Sequence, residues 1–406
     1  MNDAGKTGAA GGKASRIPEL DGLRALMIFI VSWYHIWQQS WLTPRIGTVS
    51  LDFLVRSGYV WVDGTVLLSA YLLFMPYARA MRDGTPPPDT RDFYYRRARR
   101  ILPGYYFILM LVLFAVALPW GLYRGNAPFM VKDIATHLTF VFPFFYDTYH
   151  ATQLGAACWT LAIEVQAYAL FPLVARGVMK KPAVTLGILL ALGFGFRAWC
   201  LWALEDFSMV VNQLMNFLDV YVIGILLAMA WERSEGTLRA AARDKAWTPR
   251  KILTQAGATL VFAGAVWGLT AMLHFQAGSE SYPQIQSRQM IYRPVFALCF
   301  GAMLFSAPMC VMPLRWLLGN PVMRFLSGIS MNYYLIHQTV IVHMKRIGFP
   351  PARSEMPNQV REQPWQNQYT FWAFVISFVL AAAITWGIEK PAGRLMDRLR
   401  GRKAKG

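Results

Sequence analysis

Apolar residues in this chain run in long stretches broken by short polar connections. Crossing a bilayer takes about 20 residues at a 1.5 Å rise, and ten stretches are that long: 20–41, 58–79, 101–120, 158–176, 183–203, 210–231, 252–275, 293–312, 323–344 and 369–388. An eleventh, 134–146, is too short to span and contains Pro143, so it is read as a re-entrant or interfacial segment. The longest gap, 121–157, includes that segment and leaves no room for a soluble domain. The pattern predicts an all-α, polytopic membrane protein of about ten helices over residues 16–390. A Gly/Ala/Lys-rich tail at 1–15 reads as disordered, and a basic tail follows at 391–406.

Composition supports this reading. Of 406 residues, 55% are apolar and only 15% are charged, against about 25% charged in soluble domains. That excludes a soluble or disordered chain. The net charge of +18 changes meaning once it is placed along the chain. With the N-terminus inside and 134–146 not crossing, most Lys and Arg fall on the cytoplasmic side, and both termini lie there. The charge is then an orientation signal directed at membrane lipid and implies no nucleic-acid partner. Nothing in the first apolar run resembles a cleavage site. The four cysteines show no metal-ligand spacing and read as small buried apolar residues, although Cys158 and Cys200 fall close enough in depth for a disulfide to be conceivable. Oligomeric state leaves no trace in the pattern.

Ionisable residues inside spans are costly and commonly functional. His35 and Glu164 each lie six residues from the outer end of their span, roughly 9 Å deep. Asp63, Arg197 and His337 fall at similar depth, with Asp219 somewhat deeper. One reading is a packing network in which Arg197 neutralises Asp63, Asp219 or Glu164. The other is a reactive site, since a carboxylate beside an imidazole sets its tautomer and basicity. For His35 and Glu164 the second is preferred; for Asp63, Arg197 and Asp219 the two weigh evenly. His137, His150, His274 and His343 read as interfacial.

The inner side carries a different signal. Arg24 precedes His35 by roughly 16 Å on the same helix. Arg97 and Arg100 share a helix face as the chain enters the third span. An arginine cluster there serves lipid headgroups in many proteins, but guanidinium groups at helical spacing also clamp phosphates. A phosphate site below a His–carboxylate site fits a long donor with a charged head and a reactive tip, such as an acyl-CoA.

Four segments together resemble the acyltransferase-3 family of integral membrane acyltransferases. They are Leu20-Asp21-Gly-Leu-Arg24 followed by His35; Arg97-Ala-Arg-Arg100 followed by Pro103; Trp159-Thr-Leu-Ala-Ile-Glu164 with Tyr168 and Pro172; and Gly328-Ile-Ser330-Met-Asn-Tyr-Tyr334-Leu-Ile-His337. The second-span element is present as Leu68-Ser69-Ala70-Tyr71, with Ala70 where glycine is usual. Ala167 and Asn332 also depart from the pattern. Some family members carry an esterase-like domain beyond the membrane part, and this chain is expected to act without one.

The resemblance implies transfer of an acyl group, often acetyl, from cytoplasmic acyl-CoA to a hydroxyl of an extracytoplasmic carbohydrate or glycosylated acceptor. The setting would be a bacterial plasma membrane, with no bound cofactor beyond the donor. It implies His35 as base or transient acyl carrier, with Glu164 orienting it or positioning the acceptor. Arg24, Arg97 and Arg100 would bind CoA phosphates, and Asp21 would fix Arg24. Ser330, Tyr334 and His337 would line the site or stabilise the oxyanion, with Asp63, Ser69, Trp159, Tyr168 and Arg197 supporting. A secondary transporter or flippase with a buried charge network is the alternative, and a non-catalytic scaffold is a third.

Overall fold

The computed structural model describes residues 16–403. The described residues form ten long helices that overlap the ten apolar stretches, plus a terminal amphipathic one. They are α1 (Pro18–Ser40), α2 (Trp61–Asp83), α3 (Thr90–Val112), α4 (Trp159–Lys180), α5 (Pro182–Ala203), α6 (Leu218–Ser234), α7 (Pro249–Ala277), α8 (Tyr282–Ser306), α9 (Pro321–Arg346), α10 (Trp365–Ile384) and α11 (Lys390–Lys403). A π turn, Thr385–Glu389, joins α10 to α11. Strand is confined, among the described residues, to a hairpin pairing Arg45–Ile46 with Val49–Ser50. Eight of the helical segments are long and apolar enough to cross a membrane. The two that fall short by composition, α1 and α9, have the length but carry polar side chains.

The helix ends follow from local chemistry. Asp89, Thr248, Ser281 and Asn320 each accept a hydrogen bond from the backbone N–H three residues on, capping α3, α7, α8 and α9. Proline opens α1, α5, α7 and α9, where no intrahelical N–H is needed. Gly84 (φ 63°) ends α2 in the left-handed conformation that glycine adopts without strain.

Helix α2 runs through the middle of the bundle, and its side chains are buried on several faces, against α1, α4, α6 and α8. Its contact with α6 is close because Gly224 faces Ala70: a Cβ on Gly224 would lie 2.7 Å from that of Ala70. The alanine that departs from the family pattern is thus accommodated by a glycine on the facing helix. Helices α5 and α7 bury little of their apolar surface within the bundle, as expected of helices facing lipid.

The charge network expected from the sequence is present, with Asp219 as the partner of Arg197. Arg197 donates to both carboxylate oxygens of Asp219, at 3.0 and 3.1 Å. Asp63 pairs instead with Arg293 at 3.1 Å, and both side chains are fully buried. Arg293 opens the apolar stretch 293–312, at the edge of a predicted span. It lies inside α8 because the helix begins at Tyr282, well before the apolar run. The carbonyl of Asn216 accepts from both Arg197 and Arg293, so the two pairs form one cluster. Asp63 and Arg197 therefore sit in a packing network and take no part in the cavity described below.

The segment 134–146 is a helix (Ala127–Leu138) followed by a single 3-10 turn (Phe142–Phe144). It is anchored by Asp133, which accepts from Tyr123, Thr152 and the backbone of Gln153. His137, expected at the interface, is buried with its Nδ1 3.1 Å from Asp133. Cys158 and Cys200 are buried free thiols, without a disulfide.

Candidate active site

Five helices enclose a cavity of about 350 Å³. Each contributes residues at the three- and four-residue spacing that places side chains on one helix face. From α1 come Arg24 and Ile28; from α2 Thr65, Leu68, Ser69 and Leu72; from α3 Arg97, Arg100 and Ile101. Helix α4 gives Thr160, Leu161, Glu164 and Tyr168, and α9 gives Ser330, Met331, Tyr334 and Leu335. Residues from all five quoted sequence elements therefore meet at one place.

The hydrogen bonds inside the cavity are specific. Tyr168 donates its hydroxyl to Glu164 at 2.8 Å, and Ser69 lies 3.3 Å from the same hydroxyl. The Arg97 guanidinium lies 5.7 Å from the Tyr168 ring centroid and 5.6 Å from that of Phe93. Among the described residues neither Arg24, Arg97 nor Arg100 forms an ion pair, and the buried Nε of Arg97 has no hydrogen-bond partner. By contrast Arg79 and Arg82 pair with Glu232, and Arg243 with Glu19. Glu164 is the one acidic side chain in the cavity lining against these three arginines, so the lining carries a net positive charge that suits an anionic ligand.

His35 lies beyond this cavity. Its Nδ1 is 2.9 Å from Oε1 of Gln38, whose amide in turn donates to the Tyr34 hydroxyl. Because a carboxamide oxygen only accepts, the proton belongs on Nδ1 and Nε2 carries the lone pair. His337 is arranged in the same way. Its Nδ1 donates to the Tyr334 carbonyl at 2.6 Å, and its buried Nε2 has no partner among the described residues. The two imidazoles are 5.3 Å apart, centroid to centroid. Tyr334 lines the cavity and its ring lies 5.5 Å from His337, so it stands between the cavity and the imidazole pair.

Several sequence expectations change here. The expected His35–Glu164 pairing is not formed, since the carboxylate is held by Tyr168 and the imidazole by Gln38. Glu164 belongs with the arginines, because the cavity reaches further along the bundle than the end-counted depths implied. Asp21 does not hydrogen-bond Arg24; it accepts from Arg16 at 2.7 Å and from Ser327 at 3.3 Å. Ser330 turns its hydroxyl to the Ser327 carbonyl. Trp159 starts α4 one residue before the lining begins. Two residues take roles that the sequence reading did not assign them. Gln38 follows His35 at a three-residue spacing, which was a usable signal. Asn332 is buried and donates to Thr385 and Glu389, at 2.8 and 2.6 Å, tying α9 to the π turn. Asn332 stands out in sequence as a departure from the family pattern, but its partners lie more than fifty positions away and no local signal identifies them.

Comparison with known proteins decides the family. The profile of the acyltransferase-3 family, described as an acyltransferase domain, matches residues 17–390. The chain belongs to the acyltransferase-3 family. Among its relatives is a protein of Staphylococcus aureus (strain COL), provisionally named as an O-acetyltransferase. It is 27% identical over 346 residues, covering 81% of this chain and 51% of the relative. A similar protein from strain MSSA476 is 26% identical over the same shares. O-acetyltransferase OatA of S. aureus (strain NCTC 8325 / PS 47) is 28% identical over 229 residues, 53% of this chain and 35% of OatA. The chain thus spans about half the length of the first of these acyltransferase relatives. No solved structure matches it.

Proposed function

We propose that this membrane acyltransferase moves an acetyl or similar acyl group from acyl-CoA to a hydroxyl of a carbohydrate or glycosylated acceptor. The donor enters from the cytoplasmic side of a bacterial plasma membrane, where both termini lie, and the acceptor comes from the opposite side. The observation that carries this reading is the cavity with three unpaired arginines at one end and Tyr334 at the other, next to two imidazoles with free Nε2 atoms. In this reading Arg24, Arg97 and Arg100 hold the donor's phosphates and its extended arm lies along α2 and α4. The thioester then reaches the imidazole pair.

There the acceptor oxygen attacks the thioester carbon. A C–O bond forms, the C–S bond breaks, and the hydroxyl proton taken at an imidazole Nε2 passes to the departing sulfur. His35 is the base, or the carrier that holds the acyl group between two half-steps. Tyr168 holds Glu164 in the cavity, where its negative charge orients the arginines. The relatives' names supply the acyl type, O-linked acetyl. A transporter fits less well, because Asp63, Asp219, Arg197 and Arg293 are already paired with one another.

The test uses the full chain in nanodiscs with carboxyl-labelled acetyl-CoA and the glycan fraction of the host envelope. Label appearing in glycan, in an ester released by mild base, supports the reading. Stable donor in the presence of every envelope fraction overturns it.

A further inference from the structure

A second cavity opens beside the first, at the basic end of the bundle. Its volume is about 580 Å³, and it is walled by α3 on one side and by the π turn and α11 on the other. Arg97 and Arg100 line both cavities, so the two are contiguous through those side chains. The far wall adds Lys390 and Arg394, neither of which forms an ion pair among the described residues. The carboxylate in that wall, Glu389, is turned to the Asn332 amide at 2.6 Å. The Lys390 ammonium lies 4.6 Å from the centroid of the Trp386 ring, which places it at the cavity wall.

The wall is a built one. Helix α11 is strongly polar, and a free tail of that composition would stay in water. Here it is fixed along α3. Asp397 takes Arg99 at 2.7 Å and the Tyr95 hydroxyl at 2.9 Å. Arg400 reaches Asp92 at 2.7 Å, and Arg99 donates to the Gly393 carbonyl. The carboxylates of this end are therefore used to dock α11, while Lys390 and Arg394 are left facing the space. Four cations without carboxylate partners then surround one cavity, two on each wall. Such a set presents a concentrated positive field and several guanidinium and ammonium donors to a multiply charged anion between the walls.

We propose that this second cavity is the subsite for the phosphorylated nucleotide end of the acyl donor, with Lys390 and Arg394 as its phosphate-binding residues and Trp386 positioning Lys390. This rests on the acyl-CoA reading above. It assigns the phosphorylated nucleoside to the α3–α11 gap, keeps the diphosphate at Arg24, Arg97 and Arg100, and leaves the rest of the first cavity to the pantetheine arm. Helix α11, which reads from sequence as a basic tail, becomes part of the donor site.

The shared chemistry is phosphate, which a lipid headgroup also offers, so the test separates the sources. Binding of CoA, 3′-dephospho-CoA and 4′-phosphopantetheine to the full chain is measured by calorimetry in phosphatidylcholine nanodiscs. The expected order is CoA, then dephospho-CoA, then phosphopantetheine, with at least about tenfold between the first and last. Lys390→Ala with Arg394→Ala should weaken CoA by about tenfold or more and leave phosphopantetheine within about twofold. The charge-conserving Lys390→Arg with Arg394→Lys should retain most CoA affinity, and matched melting midpoints exclude a folding defect. Equal affinity for CoA and phosphopantetheine in the parent overturns the subsite while the acyl-CoA reading stands. Failure to bind either overturns both. If the double alanine variant instead keeps CoA affinity and loses only a response to added phosphatidylglycerol, the cavity is a headgroup site and the proposal fails.

Discussion

The imidazoles of His35 and His337 lie 5.3 Å apart, and each has its Nδ1 committed to an acceptor, Gln38 Oε1 and the Tyr334 carbonyl. Both rings are thereby fixed in the tautomer that leaves Nε2 basic, with no carboxylate involved. General base catalysis by a positioned side chain is worth about 10²–10⁴-fold. His35→Ala should lower kcat by that range, and His337→Ala by about 10²-fold, in an acetyl-transfer assay with protein levels matched. A His337→Ala enzyme with more than half of parent activity would reduce that ring to packing.

The Gln38 contact gives a separate prediction. Gln38→Leu removes the acceptor that fixes the His35 proton, so both tautomers become accessible. A net neutral hydrogen bond is worth about 1 kcal/mol, and kcat should fall about fivefold. Gln38→Glu keeps an acceptor at that position and should retain more activity than Gln38→Leu. The reverse order would argue against tautomer control.

The Tyr168–Glu164 bond can be cut without changing shape. Tyr168→Phe removes the donor at 2.8 Å from the carboxylate. Hydrogen bonds to charged groups contribute about 1.5–3 kcal/mol, so catalytic efficiency should drop about 10–100-fold. Circular dichroism should be unchanged. Parent-like kinetics would remove Glu164 orientation from the mechanism.

Asp63 and Arg293 are both fully buried. Removing one partner of such a pair costs about 3–5 kcal/mol, whereas replacing both with apolar residues is often near neutral. Asp63→Asn should therefore lower the melting midpoint in detergent strongly, and Asp63→Leu with Arg293→Met should recover most of the loss. Equal midpoints for the single and double variants would place the effect elsewhere.

Glycines offer a steric contrast. A Cβ on Gly22 would come within 2.0 Å of the Leu318 carbonyl oxygen, a backbone atom that cannot rotate away. Gly264 on α7 has nothing within 4 Å. Gly22→Ala should abolish folded yield, judged by size-exclusion chromatography. Gly264→Ala should raise stability by about 0.5–1 kcal/mol through helix propensity.

The helices were legible because hydrophobic length is a local property, and each apolar run became one long helix. Boundaries moved where polar residues extend a helix beyond its apolar part. Helix α8 starts eleven residues before the apolar run 293–312, so Arg293 lies well inside the helix rather than at its edge. Within the cavity, motif residues such as Arg24, Arg97, Arg100, Glu164 and Tyr168 were legible as a set. Their pairing was not, since Glu164 to Tyr168 and His35 to Gln38 depend on side-chain direction within a helix. The Asn332–Glu389 contact and the docking of α11 on α3 join segments distant in sequence, and only tertiary structure brings them together.

The two long helices that fall short by composition, α1 and α9, are the ones that carry the two imidazoles. Their polar groups raise the free energy of entering lipid one helix at a time. In the folded bundle those groups face neighbouring helices and cavity rather than acyl chains. Helices such as α5 and α7 are apolar enough to enter a bilayer on their own, whereas α9 falls short of that and packs chiefly against α1 and α10. Polarity that serves chemistry in the finished bundle is a burden during insertion. Variants that loosen the α1–α9 contact should then be lost at the insertion step, as mis-threaded chain, before any activity can be assayed.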